Sequence, residues 1–246
     1  MKSILGCIAD DITGATDLAL MLGRNGMPVA QIIGCPAANA PWPEEAAAVV
    51  VALKSRTAPP ADAVGESLAA GRWLRDRSVR QYFFKYCSTF DSTTEGNIGP
   101  VAAALGEMTG AQIIPFCPAF PGNQRTVYKG HLFVGDRLLS ESSMRDHPST
   151  PMKEADLVRF LSCQLPQNAN VGLISYESVR KGASEIEKNF EHLAAKGVRY
   201  AVVDALNDLH LAEIGKACAG LPLITGGSAV AMGLPENYRA AGWLPA

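Results

Sequence analysis

Two carboxylates stand side by side at Asp10 and Asp11, after the apolar run SILGCIA and ahead of ITGATDLAL. In open α/β sheets ligands bind at the carboxyl ends of the strands, so this pair falls where chemistry is expected. Adjacent side chains on an extended segment point apart, so at most one of the two faces a given ligand directly. A helix N-cap at Asp11 or Thr13 and a first-turn charge at Asp17 would explain single residues here. Two carboxylates exceed what one cap requires. Phosphotransferases that use a nucleophilic aspartate after the first strand separate two aspartates by one residue, which the adjacent pair does not match.

A second group follows another apolar run, in KYCSTFDSTTEGNIG. Lys85 offers a point charge, Ser88, Thr89, Ser92, Thr93 and Thr94 offer hydroxyls that donate and accept, and Asp91 adds a carboxylate. A hydroxylated anion is well served by this set, and glycines ahead of a helix add oriented N–H groups. An ordinary Ser/Thr-rich loop with Asp91 or Ser92 as a cap stands as an equal alternative. Further on, Arg125, Lys129, His131, Arg145 and His147 gather cationic and titratable groups in PAFPGNQRTVYKGHLFV and MRDHPSTPM. Arginine can hold a carboxylate through two parallel hydrogen bonds, and histidine moves protons near neutral pH. Finally LPLITGGSAVAMGLP places Gly226, Gly227 and Ser228 between an apolar run and a small-residue helix, a geometry for anion binding or simply a tight turn. It lacks the GK[ST] ending of a phosphate-binding loop, and G-x-G-x-x-G is absent too.

These groups need a scaffold, and the apolar pattern supplies one. Short apolar runs at 3–9, 29–35, 48–53, 82–87, 112–116, 171–175, 200–204 and 222–225 read as strands. Amphipathic segments from 13 or 14 to 24, and at 61–75, 99–108 and 179–195, read as helices, with His192 and His210 on helices as packing or solvent-facing residues. The alternation predicts a three-layer αβα fold with a mostly parallel sheet. Residues 36–46 and 55–63 read as surface connections rich in proline and alanine. Between 118 and 152 the rhythm breaks, and Gly135-Asp136 marks an inserted β-hairpin.

Composition sets the boundaries of function. With 48% hydrophobic and 19% charged residues, the 246-residue chain can bury a sizeable core. Its 22 Lys+Arg against 24 Asp+Glu give no basic surplus for nucleic acid or an anionic membrane. No apolar stretch of spanning length and no signal-peptide pattern after Met1-Lys2 are found, which predicts a cytoplasmic protein. The six cysteines are widely spaced without zinc-ligand partners, so no metal site is expected. Those ending or punctuating apolar runs, Cys7, Cys35, Cys87 and Cys117, read as inert core thiols.

Taken in order, IADDITGATD, FFKYCSTFDSTTEGNIGPVA, PAFPGNQRTVYKGHLFV, MRDHPSTPM and ITGGSAVAMGLP resemble the four-carbon acid sugar kinase family. The stretch from Lys85 to Asn97 departs from the KKxDSTLRGN-like motif of other branches and points to the 3-oxo-tetronate branch. The resemblance implies two α/β domains, of which residues 1–246 are the N-terminal acid-sugar-binding half, the nucleotide-binding half lying outside this chain. It implies ATP with Mg²⁺, bound mainly by that other half, as phosphoryl donor to the terminal hydroxyl of a 3-oxo-tetronate, with a homodimer left open. On that resemblance, Arg145 and Lys129 are assigned to the substrate carboxylate and Ser88, Asp91 and Ser92 to its hydroxyls. Lys85 is placed near the developing phosphate charge, and Asp10 or Asp11 orients the attacking hydroxyl or holds Mg²⁺ through water. Arg125, His131 and His147 complete the expected substrate-binding set. A non-catalytic binding module for small hydroxy acids is the alternative, and a nicotinamide-dependent dehydrogenase has only the alternating pattern behind it.

Overall fold

A computed structural model describes residues 4–167 and 169–245, so Ser3, at the start of the first expected strand, and Met1-Lys2 lie outside the described residues. All eight expected strands form, and they build one parallel sheet. In chain order they are β1 (Leu5–Ala9), β2 (Val29–Ile33), β3 (Ala48–Ala52), β4 (Gln81–Lys85), β5 (Ile114–Cys117), then, after a small inserted sheet, β9 (Val171–Ile174), β10 (Tyr200–Val203) and β11 (Leu223–Gly226). Their spatial order is β2-β3-β1-β4-β11-β5-β10-β9. Every residue of β1, β3, β4, β5, β10 and β11 is buried, which is why LGCIA and AVVVA read as continuous apolar runs rather than alternating ones.

Helices cover both faces. On one side lie α2 (Pro60–Arg75), α3 (Ile98–Thr109) and α4 (Leu157–Gln164), with α3 touching both neighbours. On the other, α1 (Ile12–Arg24) and α7 (Asp208–Ala217) pack on the 3-10 turn Ser228–Gly233, and α7 touches α6 (Ala183–Ala195) and α8 (Leu234–Ala240). The expected three-layer αβα architecture is therefore observed.

The inserted region is a three-stranded antiparallel sheet, β6 (Arg125–Tyr128), β7 (His131–Val134) and β8 (Arg137–Leu138). Beyond the hairpin expected at Gly135-Asp136 there is a second one at Lys129-Gly130, whose φ values of 49° and 76° are those of a two-residue turn matching strand twist. Asp204 secures it to the main sheet: its buried carboxylate accepts the backbone N–H of Lys129 (2.7 Å), Gly130 (2.8 Å) and Tyr176 (2.7 Å). Burial pushes the Asp204 carboxyl above its ordinary value while those three donors pull it back.

Several expectations are corrected. The single helix at 179–195 is two, α5 (Tyr176–Val179) and α6, because Gly182 between them takes φ 92°, a left-handed conformation a helix cannot continue through. Residues 55–63 are not merely a surface connection. Ser55 is buried and α2 already begins at Pro60. Cys35 is an exposed thiol rather than a core one, since β2 is an edge strand that ends at Ile33. Cys7 and Cys117 are buried, and burial pushes the Cys117 thiol up to about 12.

Candidate active site

β1 and β4 lie side by side, yet the helices that follow them, α1 and α3, cover opposite faces. The crevice at their carboxyl ends is thus a topological switch point, the place where such sheets bind ligands. Asp10 follows β1 and donates its N–H to the Lys85 carbonyl at 3.0 Å. The Asp10 carbonyl in turn accepts the N–H groups of Ser55 (3.0 Å) and Arg56 (3.1 Å), which draws the loop after β3 over the end of β1.

That loop delivers a residue the sequence reading missed. Arg56 binds Asp10 through Nε to Oδ2 and Nη2 to Oδ1, both 2.9 Å, and Nη2 also reaches Asp11 Oδ1 at 2.8 Å. Asp10 is 2% exposed and both its oxygens are taken, so it lies beneath the crevice. Asp11, with 27% of its side chain exposed, lines it. Asp11 is also the N-cap of α1, accepting the Gly14 N–H at 2.8 Å. Burial pushes the Asp10 carboxyl up, and the hydrogen bonds and charge of Arg56 pull it back. For Arg56 burial acts downward, but the Asp10 hydrogen bonds and charge outweigh it and the guanidinium is held more firmly protonated. Arg56 thus shifts as a partner in a mutually stabilising pair does, whereas Asp10 shifts the other way because its burial outweighs the guanidinium. The bidentate geometry favours the ionised pair, with desolvation of the fully enclosed carboxylate as its cost.

Lys85 is buried and donates to the Tyr86 carbonyl at 2.7 Å. Its Nζ and Asp11 Oδ1 converge over Gly14, where a Cβ would lie 2.7 Å and 2.4 Å from them, so no side chain fits there. Ser88 and Ser228 complete the crevice, which encloses about 100 Å³. Gly226 and Gly227 stand behind it: a Cβ on either would fall 2.4 Å from the Cys117 carbonyl or 2.7 Å from that of Pro118, so the exits of β11 and β5 meet backbone to backbone. The helix expected after them is a six-residue 3-10 turn, which removes the aligned α-helical N-terminus from that motif.

A second polar cleft of about 310 Å³ adjoins the first and shares Arg56 with it. Ser92, Asn97, Ser149 and Thr150 line it. Asn97 braces the Arg56 loop, its Nδ2 donating to the carbonyls of Ser55 (2.7 Å), Arg56 (3.2 Å) and Ala58 (3.0 Å). Asp91 opens on neither cleft. It is buried and accepts the Thr89 hydroxyl at 2.5 Å. Phe90 beside it holds φ 53°, a costly conformation for a bulky residue, fixed by its buried ring edge-on to Tyr86 and Phe160.

The remaining sequence candidates sit on the inserted region and line neither cleft. Arg125 donates Nη1 to the carbonyl of Asn123, a residue of the first cleft, while its buried Nε has no partner among the described residues. The Lys129 ammonium lies over the Tyr128 ring, 5.5 Å from its centroid, and His131 Nδ1 is 2.9 Å from the Lys129 carbonyl. Arg145 is exposed on the 3-10 turn Ser143–Asp146. His147 acts behind the second cleft, its Nδ1 meeting the N–H (3.2 Å) and hydroxyl (3.0 Å) of Thr150.

A parallel αβα domain with a polar crevice at its switch point, set with the open carboxylates of Asp11 and Asp17, an ammonium, a guanidinium and hydroxyls, belongs to the class that binds small polar ligands. The chain matches the sugar-binding N-terminal domain family over residues 5–234, and it belongs to that family. It is 58% identical over 245 residues to a 3-oxo-tetronate kinase of Burkholderia multivorans, a match that takes in 100% of this chain and 56% of the relative. Among solved structures it superposes on a putative tRNA synthase from Salmonella typhimurium with TM-score 0.91 and 45% identity, over 96% of this chain and 56% of the other. A Bordetella bronchiseptica domain of unknown function, with bound citrate and in a domain-swapped dimer, matches with TM-score 0.78 and 26% identity over 96% of this chain and 56% of the other. The chain therefore spans little more than half the length of each.

Proposed function

We propose that this chain is the acid-sugar-binding part of an ATP-dependent kinase that phosphorylates the terminal hydroxyl of a 3-oxo-tetronate. The observation that carries this is the first cleft, where the acceptor Asp11 stands beside the donors Lys85, Arg56, Ser88 and Ser228. Phosphoryl transfer asks for positioning and charge neutralisation rather than covalent work by the protein, and this is a set of that kind. The kinase relative and the citrate-bound relative, whose ligand is a small hydroxy acid, both support the reading. A nucleic acid substrate is disfavoured by the formal charge of -2.

The donor set suits a terminal phosphoryl group, but about 100 Å³ is too little for a nucleotide, so the nucleoside of ATP is assigned to the part of the longer protein that this chain does not span. Bound Mg²⁺–ATP supplies the phosphoryl group and its charge neutralisation. Asp11, and not the enclosed Asp10, orients the terminal hydroxyl and accepts its proton. Lys85 faces the charge that develops during transfer, and Ser88 and Ser228 hold oxygens nearby. Because Arg145 and Lys129 line neither cleft, the substrate carboxylate is not assigned to them.

In the whole enzyme, Asp11→Asn lowers kcat by roughly 100-fold or more, the range of general-base removal, with substrate affinity changed little. Equal losses in kcat and affinity would refute the catalytic role. Titration of this chain by calorimetry with four-carbon acids, and separately with Mg²⁺–ATP, should show binding of the acid alone.

A further inference from the structure

Arg56 has one arm to spare. Nε and Nη2 are committed to Asp10 and Asp11, whereas Nη1 has no partner among the described residues and is not enclosed. The residue lines both clefts, so the Arg56 guanidinium stands at their junction, its Nη2 2.8 Å from the Asp11 carboxylate. A guanidinium donates and never accepts, and an ionised carboxylate accepts and never donates. The junction therefore presents one acceptor and one donor side by side. An α-hydroxy ketone carries the reverse on adjacent carbons, a hydroxyl that donates and a carbonyl oxygen that only accepts.

Resting on the kinase reading above, we infer that Arg56 Nη1 binds the 3-oxo oxygen of the substrate while Asp11 binds the neighbouring terminal hydroxyl, making Arg56 the residue that selects 3-oxo acids over their 3-hydroxy counterparts. A neutral oxygen suits this position better than the substrate carboxylate, because two carboxylates already neutralise the guanidinium and a third gains little. Asp10 is then a positioning residue: its bidentate grip fixes the plane of the guanidinium and so the aim of Nη1. Asn97 supports the same aim by pinning the loop carbonyls on either side.

The test is calorimetric titration of the full chain with 3-oxo-tetronate, prepared immediately before use because a β-keto acid loses carbon dioxide, and with L-threonate and D-erythronate. The native chain should bind the 3-oxo acid roughly 10-fold or more tighter than either 3-hydroxy acid, the value of one hydrogen bond to a charged donor. Arg56→Lys should narrow that ratio. Asp10→Asn combined with Arg56→Gln, which removes both buried charges together and so spares the fold an unpaired one, should bring it to within about threefold. Thermal melting confirms that each variant is folded. Equal affinity of the native chain for oxo and hydroxy acids overturns the inference and leaves the kinase reading standing. So does a preference that survives the double substitution, or a loss that falls equally on all three acids and so assigns Arg56 to the carboxylate. Failure of the native chain to bind any of the acids overturns the kinase reading itself.

Discussion

Removing the Asp10 carboxylate tests how far the crevice depends on a buried charge. Asp10 is 2% exposed and Arg56 23%, and two contacts of 2.9 Å join them. Breaking a fully buried pair costs about 3–5 kcal/mol. Arg56 keeps Asp11 at 2.8 Å and some access to water, so about 2–3 kcal/mol is expected for Asp10→Ala. For a domain of this size that lowers Tm by roughly 5–10 °C. A double-mutant cycle with Arg56→Met separates the pair from the loss of packing. The double variant should be more stable than the sum of the single losses predicts, by about 1–2 kcal/mol, because no charge is left stranded. Urea unfolding followed by circular dichroism reads all four proteins, with m unchanged if only stability moves. Losses that add to within about 0.5 kcal/mol would refute an energetically coupled pair.

Three further outcomes follow from the geometry. Asn97→Ala should cost about 1–3 kcal/mol and raise amide exchange at residues 55–58, since it strips the shared donor from three carbonyls; unchanged exchange there would mean that Asn97 is not the brace. Gly14→Ala should destabilise by about 1–3 kcal/mol by forcing Asp11 and Lys85 apart, and acid binding by calorimetry should fall with it. Burial holds the His210 imidazole below its ordinary value, so the unfolded chain takes up this proton first as pH falls. Its contribution is full above about pH 6.5 and is lost as pH falls through the lower folded value. His210→Gln should flatten the stability profile over that interval in urea melts.

The strands were legible because buried parallel strands are apolar end to end, as AVVVA and LGCIA are, and the ligand-binding edge of the sheet followed from carboxylates placed after such a run. Arg56 was not legible. It stands in SRTAPPADA, where proline and alanine read as a surface connection, and only the pairing of β3 with β1 brings that loop onto Asp10, 46 positions away. A useful signal was SR a few residues after the buried run of β3, leaving the sheet on the same edge as Asp10 after β1. The break at Gly182 and the short α4 were hidden for a different reason. Periodicity carries smoothly across 179–195, and eight residues from Leu157 give too few turns to stand out, so the local cap at Asp156, accepting from Val158 and Arg159, decides the helix.

The first cleft carries no positive surplus. Asp10 and Asp11 cancel Arg56 and Lys85, and Asp17 on its wall tips the sum to one negative. An anionic sugar acid is therefore not drawn in by the local field, and the rate at which it leaves the cleft should change little with ionic strength. Long-range attraction is left to the positive groups of the inserted sheet and its following turn, Arg125, Lys129 and Arg145, which line neither cleft. Capture and fit are thus separable in this domain: salt should slow arrival without loosening what has arrived.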